Sequence, residues 1–150
     1  MNVQARGVAT DRRAVVCPGL EIVVLFTEPA ATLQALRTAA QLAAGLSGHI
    51  RLLVPNVVPY PLPLEQPAVG KRQLERRFRT IAAQAGIETR VDIRLCREAT
   101  AAALQVLSPH SLVVIGLRRR RFPLWWPSAQ ERAADTLRRA GHNVVLSLLQ

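Results

Sequence analysis

The feature that most constrains this chain is the alternation of short apolar runs with longer stretches of helical spacing. LEIVVLFT (20–27) has strand length and is apolar at odd and even positions alike, as a central strand of a parallel sheet must be when both its faces are covered. Pro29 stops this run and suits the first turn of a helix. Leu33, Leu36, Ala40, Ala43 and Leu46 then recur every three or four residues, and Gly48 is expected to close that helix. HIRLLVPNVV (49–58) is the second strand. It runs into YPLPLEQP (60–67), which is too rigid and too poor in amide donors for a helix or a central strand and is therefore a connecting loop. Leu74, Phe78, Ile81, Ala82 and Ala85 mark a basic amphipathic helix that ends at Gly86. ETRVDIRLC (88–96) alternates polar with apolar, as a strand with one exposed side or an edge strand does, and Ala99 to Leu107 is a short alanine-rich helix. SLVVIG (111–116) is the fourth strand, LRRRRFPLWWP (117–127) interrupts the pattern, SAQERAADTLRRAGH is the last helix, and NVVLSLL (143–149) is the fifth strand.

Strict strand–helix alternation implies an α/β fold with a doubly wound, five-stranded parallel sheet. At 150 residues the chain can bury roughly 68–70% of its unfolded surface, enough for one full core. Residues 1–19 mix charges with Gly and Pro without sustained period, so they are expected to form a flexible N-terminal arm ahead of a domain at 20–150. The opening MNVQARGVATDRR lacks the apolar centre of a secretory signal, and a cytoplasmic location is expected. The richest helical run, Ala30 to Leu46, contains Arg37 and two glutamines, which excludes it as a membrane span. Cys17 and Cys96 are too few and too far apart for a disulfide framework or a zinc site. Twenty basic side chains, nineteen of them arginine, stand against ten acidic ones, for a net charge of +10. Such a field favours acidic proteins, nucleic acid or anionic membrane surfaces, and names none of them.

Three segments carry a family likeness: EIVVLFTEPA with the helix after it, the loop and helix leading to GIETRVDIRL, and LVVIG followed by TLRRAGHNVVLSL, with its Leu-Arg-x-Ala before the final strand. Over Leu20 to Gln150 the chain resembles the universal stress protein family. The resemblance implies a Rossmann-like sheet in the order 3-2-1-4-5 and a homodimer paired through the last strand. In that order NVVLSLL is an edge free of Lys and Pro, with Val144, Leu146 and Leu148 on one face as the expected dimer contacts and Val145, Ser147 and Leu149 on the other.

Nucleotide-binding members of the family have an Asp ending the first strand. After the fourth strand they have a glycine, two residues, a second glycine, nine residues, and then Gly-Ser or Gly-Thr. Aligned on that pattern, Gly116 matches the first glycine and Arg119 replaces the second. The final pair falls on Ala129-Gln130 by strict counting, or on Gln130-Glu131 if register is taken from LRRA, and Thr27 replaces the Asp, with Glu28 beside it. Ser128 and Glu131 also have the spacing of a capping box, which would occupy the helix end and put a carboxylate where a phosphate should rest. The expected cofactor is therefore none, ATP and AMP both being disfavoured.

The loop Arg118, Arg119, Arg120, Arg121 with Trp125 and Trp126 flanks the switch point where doubly wound sheets bind ligands. Phe122, Leu124 and the two tryptophans could fold down as a plug over the cleft. The alternatives are an anion or nucleic-acid site with Trp stacking, or a foothold on an acidic membrane. His49, His110 and His142 show no metal spacing and no nucleophile beside them, and Cys96 next to Arg97 suggests a mildly lowered pKa at a packing thiol. No catalytic residue and no metal site is expected. The function read from the chain is a dimeric, non-enzymatic stress-response or adaptor domain that has lost ATP binding. The alternatives are an anion-binding module, or a weak nucleotide binder with residual hydrolysis.

Overall fold

A computed structural model describes residues 20–64, 70–120 and 126–150. The N-terminal arm with Cys17, the end of the proline-rich loop, and Arg121, Phe122, Leu124 and Trp125 lie outside the described residues. The elements follow in the expected order: β1 (Glu21–Leu25), α1 (Pro29–Leu46), β2 (His49–Val57), α2 (Lys71–Gln84), β3 (Thr89–Cys96), α3 (Ala99–Val106), β4 (Leu112–Arg118), α4 (Ala129–Arg139) and β5 (Asn143–Leu149). The five strands form one parallel sheet in the order β3-β2-β1-β4-β5.

The continuous apolar run in β1 is explained by the two layers that cover it. Ile22 and Val24 enter one core with Leu36 of α1 and Leu74, Phe78 and Ile81 of α2. Val23 and Leu25 enter the other with Ala103 of α3 and Ala134 and Leu137 of α4. All four of these β1 side chains are buried, and replacing any of them by a polar group would leave that group unpaired in a core. Phe26, just past the strand, meets Phe78 edge-on with ring centroids 4.8 Å apart, which ties α2 to the carboxyl end of the sheet.

The ends of the elements depart from the sequence expectation for identifiable reasons. The left-handed residue closing α1 is Ser47 (φ 49°), not Gly48. Gly48 is needed for proximity instead, since a Cβ there would sit 2.8 Å from the carbonyl of Leu20. β1 stops at Leu25 because Thr27 leaves the ladder: its amide donates to the Thr32 hydroxyl (3.2 Å) and its own hydroxyl to the carbonyl of Gly116 (3.1 Å). Beyond β2, Arg97 donates to the carbonyls of Val58 (2.7 Å) and Leu62 (2.8 Å) and stacks on the Tyr60 ring at 4.0 Å. One guanidinium thus pins the start of the proline-rich loop.

Candidate functional site

Parallel strands all point their carboxyl ends the same way, so the crevice between β1 and β4, whose crossovers go to opposite sides, is where this architecture can hold a ligand. Two hollows occupy it. A cleft of about 580 Å³ lies between α3 and α4, walled by Leu25, Phe26, Leu104 and Ile115, with Thr27, Glu98 and Arg132 among its polar groups. A smaller hollow of about 270 Å³ adjoins α1, lined by Glu28, Gly116, Arg118, Arg119, Arg120 and Ser128. Gln130 borders both.

Gly116 lacks a side chain because a Cβ there would fall on the backbone carbonyl of Ala31, so the first turn of α1 uses the space that the glycine leaves. Thr27 spends its hydroxyl on the Gly116 carbonyl. The amide of Arg119 extends the β4–β5 ladder to Leu149 (3.4 Å), while Arg118, Arg119 and Arg120 are exposed, and Arg120 donates to the carbonyl of Trp126 (3.3 Å). Trp126 is 80% exposed and so does not fold down as part of a plug; Phe122, Leu124 and Trp125, the rest of that expectation, lie outside the described residues.

The helix ends at the crevice carry a pattern of their own. At α4, the Ser128 hydroxyl accepts from the amide of Glu131 (3.1 Å), and a Glu131 carboxylate oxygen accepts from the amide of Ser128 (2.5 Å), a complete capping box. The Ser128 amide first, and its hydroxyl next, hold the Glu131 carboxyl below its ordinary value, and the Arg120 charge acts in the same direction. At α3, the carboxylate of Glu98 accepts from the amides of Thr100 (2.8 Å) and Ala101 (2.7 Å). At α1, Glu28 takes the N-cap position without a side-chain cap bond, and one of its carboxylate oxygens is buried with no hydrogen-bond partner. All three helices that begin around the crevice therefore carry a glutamate at the N-cap or in the first turn, and Glu28 and Glu98 line the hollows themselves. Glu98 was not singled out from sequence, because glutamate is not a favoured N-cap and no capping-box spacing accompanies it.

The other candidates serve the frame. His142 is buried and its Nδ1 accepts from the amide of Ser111 (3.3 Å), and His110 Nδ1 lies 3.1 Å from the carbonyl of Gly141, so both bind neighbouring turns together. Cys96 is buried, and desolvation, with the Glu98 charge adding to it, pushes its thiol pKa up. That overturns the expected lowering by Arg97, whose guanidinium is committed to the carbonyls of the loop. No group of three His, Cys, Asp or Glu among the described residues could hold a metal ion, and no described helix is long and apolar enough to cross a membrane. On β5, Val144 and Leu146 pack against the α3–α4 core, Ser147 hydrogen-bonds Thr38 of α1 (2.7 Å), and Leu148 is 58% exposed.

No family model matches the sequence, and no curated protein does. Solved structures do. The universal stress protein from Archaeoglobus fulgidus aligns with a TM-score of 0.56 at 16% identity, over 85% of this chain and 93% of that one. A universal stress protein in complex with cAMP aligns with a TM-score of 0.49 at 14% identity, over 87% of this chain and 97% of that one. The chain has the universal stress protein fold.

Proposed function

We propose that this chain, built on the universal stress protein fold, is a non-enzymatic association domain that has lost triphosphate binding and works as a homodimer through β5. The observation that carries the first half is the set of three glutamates. A phosphate gains most at a helix N-terminus with open amides and no local negative charge. Here the Glu98 carboxylate takes the amides of Thr100 and Ala101 at α3, while at α4 the Ser128 hydroxyl takes the amide of Glu131 and the Glu131 carboxylate that of Ser128; Glu28 adds a third carboxylate beside Gly116. Titration calorimetry with Mg-ATP is expected to show no saturable heat at tens of micromolar, a threshold near −6 kcal/mol. Saturation there would end this reading. The apolar cleft between α3 and α4 favours a second, weaker one: residual affinity for an uncharged planar base. Adenosine binding where ATP does not would separate the two.

The dimer rests on the contrast between the two sheet edges. β3 carries Arg90, Asp92 and Arg94. Arg94 pairs with Asp92 at 2.9 Å, and Asp92 also lies 3.5 Å from Arg51 of β2, whose Nε is 3.3 Å from Glu21 but misaligned for a hydrogen bond. Charges on an edge discourage a second sheet from adding to it. β5 has none, and it exposes Leu148. Sedimentation is expected to give a dimer for the wild type and a folded monomer for Leu148→Asp. A monomeric wild type, or a folded variant that still dimerises, excludes this edge.

A further inference from the structure

Helix α2 presents a strongly charged face that none of the preceding roles uses. Its apolar residues Leu74, Phe78 and Ile81 are buried against the sheet, while Lys71, Arg72, Arg76, Arg77 and Arg79 are all exposed and Glu75 is the one acidic side chain of the helix. At 100° per residue, Arg72, Arg76 and Arg79 fall within about 60° of arc and form a stripe about 10 Å long on the outer side. Among the described residues the ion pairs are Arg51 with Glu21 and Asp92, Arg94 with Asp92, and Arg138 with Asp135, so none neutralises this stripe. The charges also oppose the helix that carries them. Lys71 and Arg72 stand in the first turn, at the positive end of the dipole, with no acidic residue there and no basic residue in the last turn.

We propose that the outer face of α2 binds the phosphate backbone of double-stranded nucleic acid without sequence preference. Duplex DNA carries one negative charge per about 1.7 Å of axis, so a 10 Å stripe faces about six phosphates' worth of charge, and arginine grips phosphate through two parallel hydrogen bonds. A single strand is the poorer fit, because strand binders stack bases on exposed aromatic rings and the one aromatic residue of α2, Phe78, is buried. A membrane is the poorer fit because interfacial helices insert an apolar face, and the apolar face of α2 is spent on the core. α2 packs on β3, at the far side of the sheet from β5, so the surface stays accessible whether or not the chain dimerises.

The test is fluorescence anisotropy of the full chain with a labelled 20-base-pair duplex of arbitrary sequence, between about 50 and 200 mM salt. The triple variant R72Q/R76Q/R79Q is expected to keep its circular dichroism, to weaken binding at low salt at least tenfold, and to reduce the slope of log K against log salt by about 2 to 3. R72K/R76K/R79K retains the slope, because counterion release depends on charge. R118Q/R119Q/R120Q, which lowers net charge equally, changes the slope by less than about 1. Equal losses in the two glutamine triples would assign the affinity to the diffuse field, and a loss confined to the second would assign it to the β4–α4 loop. Either result overturns the proposal. So does undetectable duplex binding at 50 mM salt, tighter binding of a single strand of the same length, or binding to phosphatidylserine vesicles in place of the duplex. Should the glutamine triple misfold, R76Q/R79Q is read against a slope change of about 2.

Discussion

Helix α4 carries Glu131 in its first turn and Arg138 and Arg139 in its last, whereas α2 begins Gly70-Lys71-Arg72 and has no basic residue in its last turn. Both are amphipathic, and both bury a short apolar stripe: Ala134 and Leu137 in one, Leu74, Phe78, Ile81 and Ala82 in the other. Their caps differ as much as their charges. α4 opens with a reciprocal capping box, while Gly70 offers α2 no side-chain cap. Glu131, Arg138 and Arg139 of α4 answer to its own dipole and caps. The basic charges of α2 oppose its dipole and make no ion pair among the described residues, which is the physical reason for placing an external anion there.

The largest test asks whether the two helices are equally well anchored. Leu137 and Phe78 are both buried, and truncating either to alanine is expected to cost about 3 kcal/mol in urea unfolding. A Phe78→Ala cost below about 1 kcal/mol would mean that α2 is loosely docked and that its arginines have no rigid frame. Next in size, Ser128→Ala removes the hydroxyl half of the capping box and should destabilise the protein by about 1 kcal/mol. An effect near zero would remove the distinction between a capped and an uncapped helix.

A smaller and opposite effect is expected at α2. Lys71→Glu with Arg72→Glu places acid at the positive end of the helix and should stabilise the protein by about 0.5 to 1 kcal/mol at low salt, while weakening duplex binding. Stability gained with binding lost is the signature of charges retained for a partner. Loss of stability would instead show that these cations have a role within the fold. The smallest effect is a pH dependence at α4. The Glu131 carboxyl is held below its ordinary value of 4.5, so its contribution is fully present above that value and is lost as pH falls through the lowered one. The stability difference between wild type and Glu131→Gln is therefore expected to be constant from neutral pH down to about 5 and to shrink below 4.5. A difference that grows on acidification would contradict the cap.

The central strands were legible within a few residues of their ends because a parallel sheet covered on both faces demands apolar side chains at consecutive positions, and β3 was legible from its alternation instead. LEIVVLFT shows the former: its centre is the strand, Phe26 still donates its amide to the carbonyl of Leu53, and Thr27 turns away, its amide taken by a hydroxyl 5 residues along. The capping box at Ser128 was equally legible, since its two partners are 3 residues apart. Glu98 was not, and neither was the exposure of Trp126, for which sequence supplies composition but no direction.

What the sequence by itself determined here is the kind and order of the elements, the polar–apolar alternation of ETRVDIRLC, and an excess of arginine. These are local matters of period, capping and charge, settled over a few neighbouring residues. Only the tertiary structure decided what occupies the carboxyl end of the sheet. In the sequence Gly116 is only a match to a family glycine; in the fold it has a packing reason as well, because a Cβ there would fall on Ala31, a residue far away in the chain. In the same way a scatter of glutamates became carboxylates at the starts of three helices, two of them lining the crevice, and a run of arginines became a stripe on one side of α2. Which atoms share a space depends on how helices pack across a sheet, and that close packing is fixed by long-range contacts that no local pattern encodes.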